Sequence, residues 1–165
     1  MSYLSKERTM KTFRLVSLKL LLMKQGTVEE KVVPLQEGLI INREEKDGSW
    51  LIEAVIPHEE RDFFEKIKNE KNKLVMEVLI TDRKNEPAMM AGEVKKTVTL
   101  SEKISVMIVA KMTSGKEDIS NLILQELIHA GYNGESLLEE FTNRKEDKAE
   151  WSRKLAENIY ASFDS

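Results

Sequence analysis

Apart from one short stretch at 58–69, the hydrophobic period of this chain changes at Ser114, and no other feature constrains the fold as much. Before that point apolar residues alternate; after it they recur about every 3.6 residues. Alternation places side chains on opposite faces of a strand, whereas the longer period gathers them into one stripe along a helix. The chain therefore reads as α+β. A mainly antiparallel β-barrel or sandwich with one short inserted helix occupies residues 11–113, and a C-terminal two-helix pair occupies 114–165. With 165 residues there is room for one ordinary domain, with the pair as its appendage.

The strand region divides at its turn residues. Residues 12–23 form the first strand, in which Phe13 and Leu15 have one parity and Val16, Leu18, Leu20 and Leu22 the other. Such a phase switch implies a bulge or sharp coil, which a closing sheet requires. Gly26 marks a turn, residues 30–35 a short strand that Pro34 places at an edge or an end, and 39–42 another. Lys46-Asp47-Gly48-Ser49 reads as a hairpin, since Asp-Gly tolerates positive φ. Trp50, Ile52, Ala54 and Ile56 share the inward face of the next strand, which Pro57 stops. A helix over 58–69 buries Phe63, Phe64 and Ile67. Leu74, Met76, Val78 and Ile80 face inward on a further strand. Residues 89–100, with Gly92 as a kink, and 104–112 complete about seven strands, with a turn near Ser101 and Glu102.

Beyond Ser114, Ser114 with Glu117 fits a capping box and Gly131 a C-terminal stop. Ile119, Leu122, Ile123 and Leu127 form the apolar face between them. Asn133-Gly134 turns the chain, and Ser136 with Glu139 suggests a second box. One long helix then runs to Ser162, striped by Leu137, Phe141, Lys148, Trp151, Leu155 and Ile159. Its charged middle, residues 143–150, is expected to project from the body.

Composition removes several function classes. There is no cysteine, which excludes disulfides, thiolate zinc sites and a cysteine nucleophile. Lys and Arg number 26 against 29 Asp and Glu, so no basic excess points to nucleic acid. Residues 1–10 lack the apolar core of a signal peptide and read as a flexible tail. The longest apolar runs are too short to span a bilayer, and the expected location is the cytoplasm, without membrane contact.

Candidate chemistry is sparse. His58-Glu59-Glu60-Arg61-Asp62 lacks the second histidine of a zinc-protease helix, and His129 suits a helix C-terminus. Glu53 and Glu77 lie mid-strand among apolar residues and could form an acid/base pair, although outward solvated carboxylates are commoner there. Arg83-Lys84 and Lys95-Lys96 could form a basic face for single-stranded nucleic acid, but the strands offer few stacking aromatics and Trp50 has inward parity. No residue is assigned as catalytic, cofactor-binding or metal-ligating, and no cofactor is expected. The final helix offers the best interaction surface: Trp151, Leu155, Ile159, Tyr160 and Phe163 could anchor a partner or pack on their own chain. A homo-oligomer, dimer or tetramer, would satisfy both uses.

Three segments carry a family resemblance: Lys11-Thr12-Phe13-Arg14-Leu15-Val16-Ser17-Leu18, Glu37-Gly38-Leu39-Ile40-Ile41-Asn42 and Trp50-Leu51-Ile52-Glu53-Ala54. With the pattern from Met10 onward, they resemble the YwpF-like family of Firmicutes. The resemblance implies a β-barrel core similar to the tube-forming Hcp proteins of type VI secretion, followed by a two-helix pair. It implies no active-site residues, and likeness to a secretion tube does not imply secretion. The expected function is a non-enzymatic, self-associating interaction module. A single-stranded nucleic-acid-binding barrel and a carboxylate-dependent enzyme are the alternatives.

Overall fold

The computed structural model describes residues 11–43, 48–114 and 116–163, without the side chains of 114 and 116–118. The expected tail, the Lys46-Asp47 part of the hairpin and the Ser114–Glu117 capping box lie outside the described residues. Seven strands form one sheet: β1 (Lys11–Lys24), β2 (Thr27–Val32), β3 (Glu37–Asn42), β4 (Ser49–Pro57), β5 (Lys73–Ile80), β6 (Ala88–Leu100) and β7 (Lys103–Ser114). Their order is β2-β1-β3-β4-β7-β6-β5, and an additional β1–β5 pairing closes six of them into an antiparallel barrel with β2 appended beside β1. Two compact units result, Met1–Leu20 with Lys31–Met112 and Leu21–Glu30 with Thr113–Ser165.

Inside the barrel the alternation does what it predicts. The cross-strand row Ile40, Ile52, Ile108 is fully buried, and Ala54 beside Val106 and Ile56 beside Ile104 continue the filling. Fully burying one such branched side chain is worth roughly 1.5–3 kcal/mol, so these layers drive closure. Gly92 is where β6 and β7 touch. A Cβ there would collide with the Val109 carbonyl oxygen and sit 2.7 Å from Ala110 Cα. The expected kink is thus a close backbone approach that only glycine permits.

Two elements start elsewhere than the sequence implies. Gln25 (φ 51°) and Gly26 (φ 84°) form a two-residue turn with both φ positive, so β2 begins directly at Thr27 and not at residue 30. The inserted helix opens as a 3-10 turn, His58–Glu60, before α1 (Arg61–Glu70) buries Phe64 and Ile67.

In the second unit, α2 (Lys116–His129) ends as Gly131 suggests. The Gly131 amide (φ 92°) donates to Ile128 O at 3.0 Å and the Tyr132 amide to Leu127 O at 3.1 Å, with Tyr132 packed on the cluster that holds Leu127. The second helix of the expected pair is in two pieces, α3 (Gly134–Lys145) and α4 (Lys148–Phe163). Asp147 causes the break. Its amide closes the last turn of α3 onto Arg144 O at 3.1 Å, while its carboxylate accepts the Glu150 amide at 3.3 Å and opens α4. The stripe therefore skips Lys148, which is exposed. The second capping box is also displaced: α3 starts at Gly134, and Ser136 Oγ accepts the Asn133 amide at 3.4 Å.

Candidate functional site: a groove on the barrel wall

The phase switch in β1 opens the most promising surface. β1 pairs with β3 only over Lys11–Arg14, while β3 continues beside β4 to Glu37. Beyond Arg14 the buried parity moves from Leu15 to Leu18 and Leu20, and Leu18 O accepts the Val33 amide at 3.0 Å. The two strands diverge, and a groove of about 530 Å³ forms. Arg14, Val16, Gly38, Leu39, Glu37, Glu53, Val55 and Arg83 line it with Leu15, Leu35 and Gln36. Gly38 faces inward, where a Cβ would sit 2.9 Å from Leu15 Cβ, so its absence lets Leu15 fill the barrel.

Register places the charges. Arg14 is opposite Leu39, Leu39 opposite Glu53 and Glu53 opposite Met107, all on the outer face. Strands lie about 4.8 Å apart, so Arg14 and Glu53 flank Leu39 at backbone separations of roughly 5 Å each. Leu39 is 41% exposed. The guanidinium of Arg14 donates to Thr81 O at 3.4 Å, and Glu53 accepts from Ser105 Oγ at 3.5 Å. Arg83 is carried by a braced turn: the Lys84 amide donates to the Asp82 carboxylate at 2.9 Å and the Asn85 side chain to Ile80 O at 2.7 Å. The neighbouring outer row, Ile41, Leu51 and Val109, is apolar and half-buried.

The structure separates the other sequence candidates. β4 and β5 stand three places apart in the six-stranded ring, so Glu53 and Glu77 lie on opposite walls. Glu77 faces Lys19 at 3.4 Å, and the two carboxylates do not form an acid/base pair. Arg83 and Lys84 sit at the β5–β6 turn, whereas Lys95 and Lys96 lie seven or more residues along β6 from Ala88. At about 3.4 Å per residue that is on the order of 24 Å, so the basic pairs do not make one patch. His58 is exposed at the 3-10 turn, its amide donating to Glu102 O at 3.2 Å, and His129 is exposed in the last turn of α2. Trp50 is half-buried, its ring 6.3 Å from Phe13.

On α4, Trp151 is 2% exposed and completes a cluster with Ile123 and Leu127. Leu155, Ile159 and Phe163 are half-buried, and Tyr160 donates its hydroxyl proton to Leu21 O at 2.5 Å with Phe163 edge-on at 5.8 Å. Sequence reasoning missed Arg14, Glu37 and Leu39 as groove residues. The available signal was a cation, Arg14, beside the phase switch of an apolar strand.

Fold and groove together define a small closed-barrel protein with a C-terminal helical unit and a charged groove in the barrel wall. Among the described residues no helix is long and apolar enough to cross a membrane. The chain belongs to the YwpF-like family, whose profile matches residues 11–144. It is 36% identical over 135 residues to the uncharacterized protein YwpF of Bacillus subtilis (strain 168), covering 82% of this chain and 99% of that one. A hypothetical protein from Staphylococcus aureus, known from a crystal structure, shares the fold with a TM-score of 0.59 and 28% identity, over 84% of this chain and 94% of the other.

Proposed function

We propose that the protein is a non-enzymatic, self-associating interaction module of the cytoplasm, and that two copies meet through the groove. One observation carries this reading: the row Arg14–Leu39–Glu53 reverses its charge about an exposed apolar residue. A two-fold axis at Leu39 sets Arg14 of each copy against Glu53 of the other, because a two-fold interface must be self-complementary. Arg83 and Glu37 extend the match, giving two cations and two carboxylates per groove. A specific interface buries roughly 1,200 Å² or more in total, so the apolar outer row Ile41, Leu51, Val109 and the outward Val55 and Met107 must take part. A dimer is the smallest assembly this surface makes; a tetramer needs a second one.

Sedimentation velocity on the wild type, Arg14→Glu, Glu53→Arg and the double variant tests the reading. Each single swap places two repulsive pairs in the dimer and weakens it by about tenfold or more, while the double swap restores it. Melting curves check that each variant folds. A wild type that stays monomeric at roughly 100 µM overturns self-association. Single swaps that leave a dimer unchanged overturn the groove as its seat.

A further inference from the structure

The groove in the barrel wall separates its charges by sign. Arg14 and Arg83 stand on one side: the Thr81 amide donates to Arg14 O at 2.8 Å, the Arg14 guanidinium donates back to Thr81 O, and Arg83 follows two residues on. Thr81 takes φ 70°, a region that β-branched residues rarely enter, so the turn that delivers Arg83 is held against its own backbone preference. Glu37 and Glu53 stand on the other side. Glu37 is opposite Val55 and Glu53 opposite Leu39, which makes the two glutamates diagonal neighbours on adjacent strands, roughly 7–8 Å apart at the backbone and on one face. Exposed Leu39 and half-buried Val55 give the groove an apolar bed. Among the described residues none of the four charged side chains forms an ion pair, and those of Arg83 and Glu37 have no hydrogen-bond partner.

Free carboxylates on one wall and free guanidiniums on the other complement a dipolar ligand. An ammonium group relieves the repulsion between the two glutamates, and a carboxylate matches the donor fork of a guanidinium. Register sets the length of that ligand. Arg14 and Glu53 are two strand spacings apart, about 10 Å, with Leu39 between them. Three extended residues span about the same distance, whereas the two charges of a single amino acid are too close together to meet both walls.

We propose that the groove binds a short peptide with free ends, of about three residues and with an apolar centre. Its carboxylate lies on Arg14 and Arg83, its ammonium on Glu37 and Glu53, and its central side chain against Leu39 and Val55. The site goes beyond self-association but uses the same charges. Where two copies meet through this groove, as read above, peptide and partner copy exclude each other, and the peptide releases monomers.

Amide chemical shifts of the full chain, followed by NMR during titration with alanyl-leucyl-alanine, test this directly. Shifts in the groove strands around Arg14, Leu39 and Glu53 should saturate with a Kd below roughly 1 mM. N-acetylation or C-amidation of the peptide should each weaken binding by about tenfold, and free leucine should bind as poorly. Glu37→Gln should weaken the free peptide several-fold but not its N-acetyl form, and Arg83→Gln should do the same with respect to the C-amide. Both positions are exposed, so neither change disturbs the core. Absence of binding at roughly 10 mM, or binding indifferent to capping and to both variants, overturns the proposal. Sedimentation velocity with and without the peptide keeps the two readings apart. A monomeric wild type that binds the peptide supports the site and removes only the dimer. A groove-seated dimer that binds no peptide, or stays intact when the peptide saturates it, overturns the site and leaves the dimer standing.

Discussion

The barrel buries its core in repeated cross-strand layers, each isoleucine or valine backed by neighbours on both sides. The helical unit gathers its cluster around three fully buried side chains, Ile123, Leu127 and Trp151. In the barrel many residues share the burial, and hydrogen-bonded closure makes each layer depend on the next. In the helical unit one indole joins α4 to α2, assisted by a lysine that stays partly solvated, and the Tyr160 hydroxyl ties α4 to Leu21. The lesson is one of redundancy: a closed sheet can lose a methyl group and keep its walls, whereas a small helical cluster stands on its largest member.

The largest test of that contrast is Trp151→Ala. It should cost about 3–5 kcal/mol, confined to the helical unit. Hydrogen exchange should show α2 and α4 losing protection while barrel amides keep theirs. Equal loss in both units would break the comparison. Next comes Gly92→Ala, a small change that strikes the β6–β7 contact. It forces β7 away from β6, and about 3 kcal/mol is expected, at the upper end for overpacking. Denaturant unfolding measures it, and exchange should accelerate in β6 and β7 first. The smallest effect sharpens the helical side: Asp147→Ala removes the carboxylate that receives the Glu150 amide and should cost about 1 kcal/mol. Circular dichroism on heating would detect the earlier loss of α4, and an unchanged transition would mean that Trp151 holds the helix without its cap.

Some of this was legible because the chemistry is local. Gly131 ends α2 because only glycine enters the left-handed region there without strain, and Tyr132 follows to close the motif. The same rule hid the end of α1, where Lys71 takes φ 55° without being glycine. Asp147 three residues before Glu150 is a capping signature in plain view, yet the apolar stripe running past it suggested one continuous helix. The groove shows a deeper limit. Arg14 and Glu53 are 39 positions apart, and nothing local brings them to either side of Leu39.

The sequence by itself determined which residues of β4 and β7 face inward, where the period changes from strand to helix, and that the parity of β1 switches near Val16, because these follow from side-chain parity and backbone stereochemistry. Only the tertiary structure decided that β1 would pair with β2, β3 and β5, that Glu53 and Glu77 would stand on opposite walls, and that Trp151 would be spent on α2. Those outcomes depend on which distant strands and helices meet, and pairing partners are chosen by the joint burial of the whole chain, which no short stretch of residues encodes.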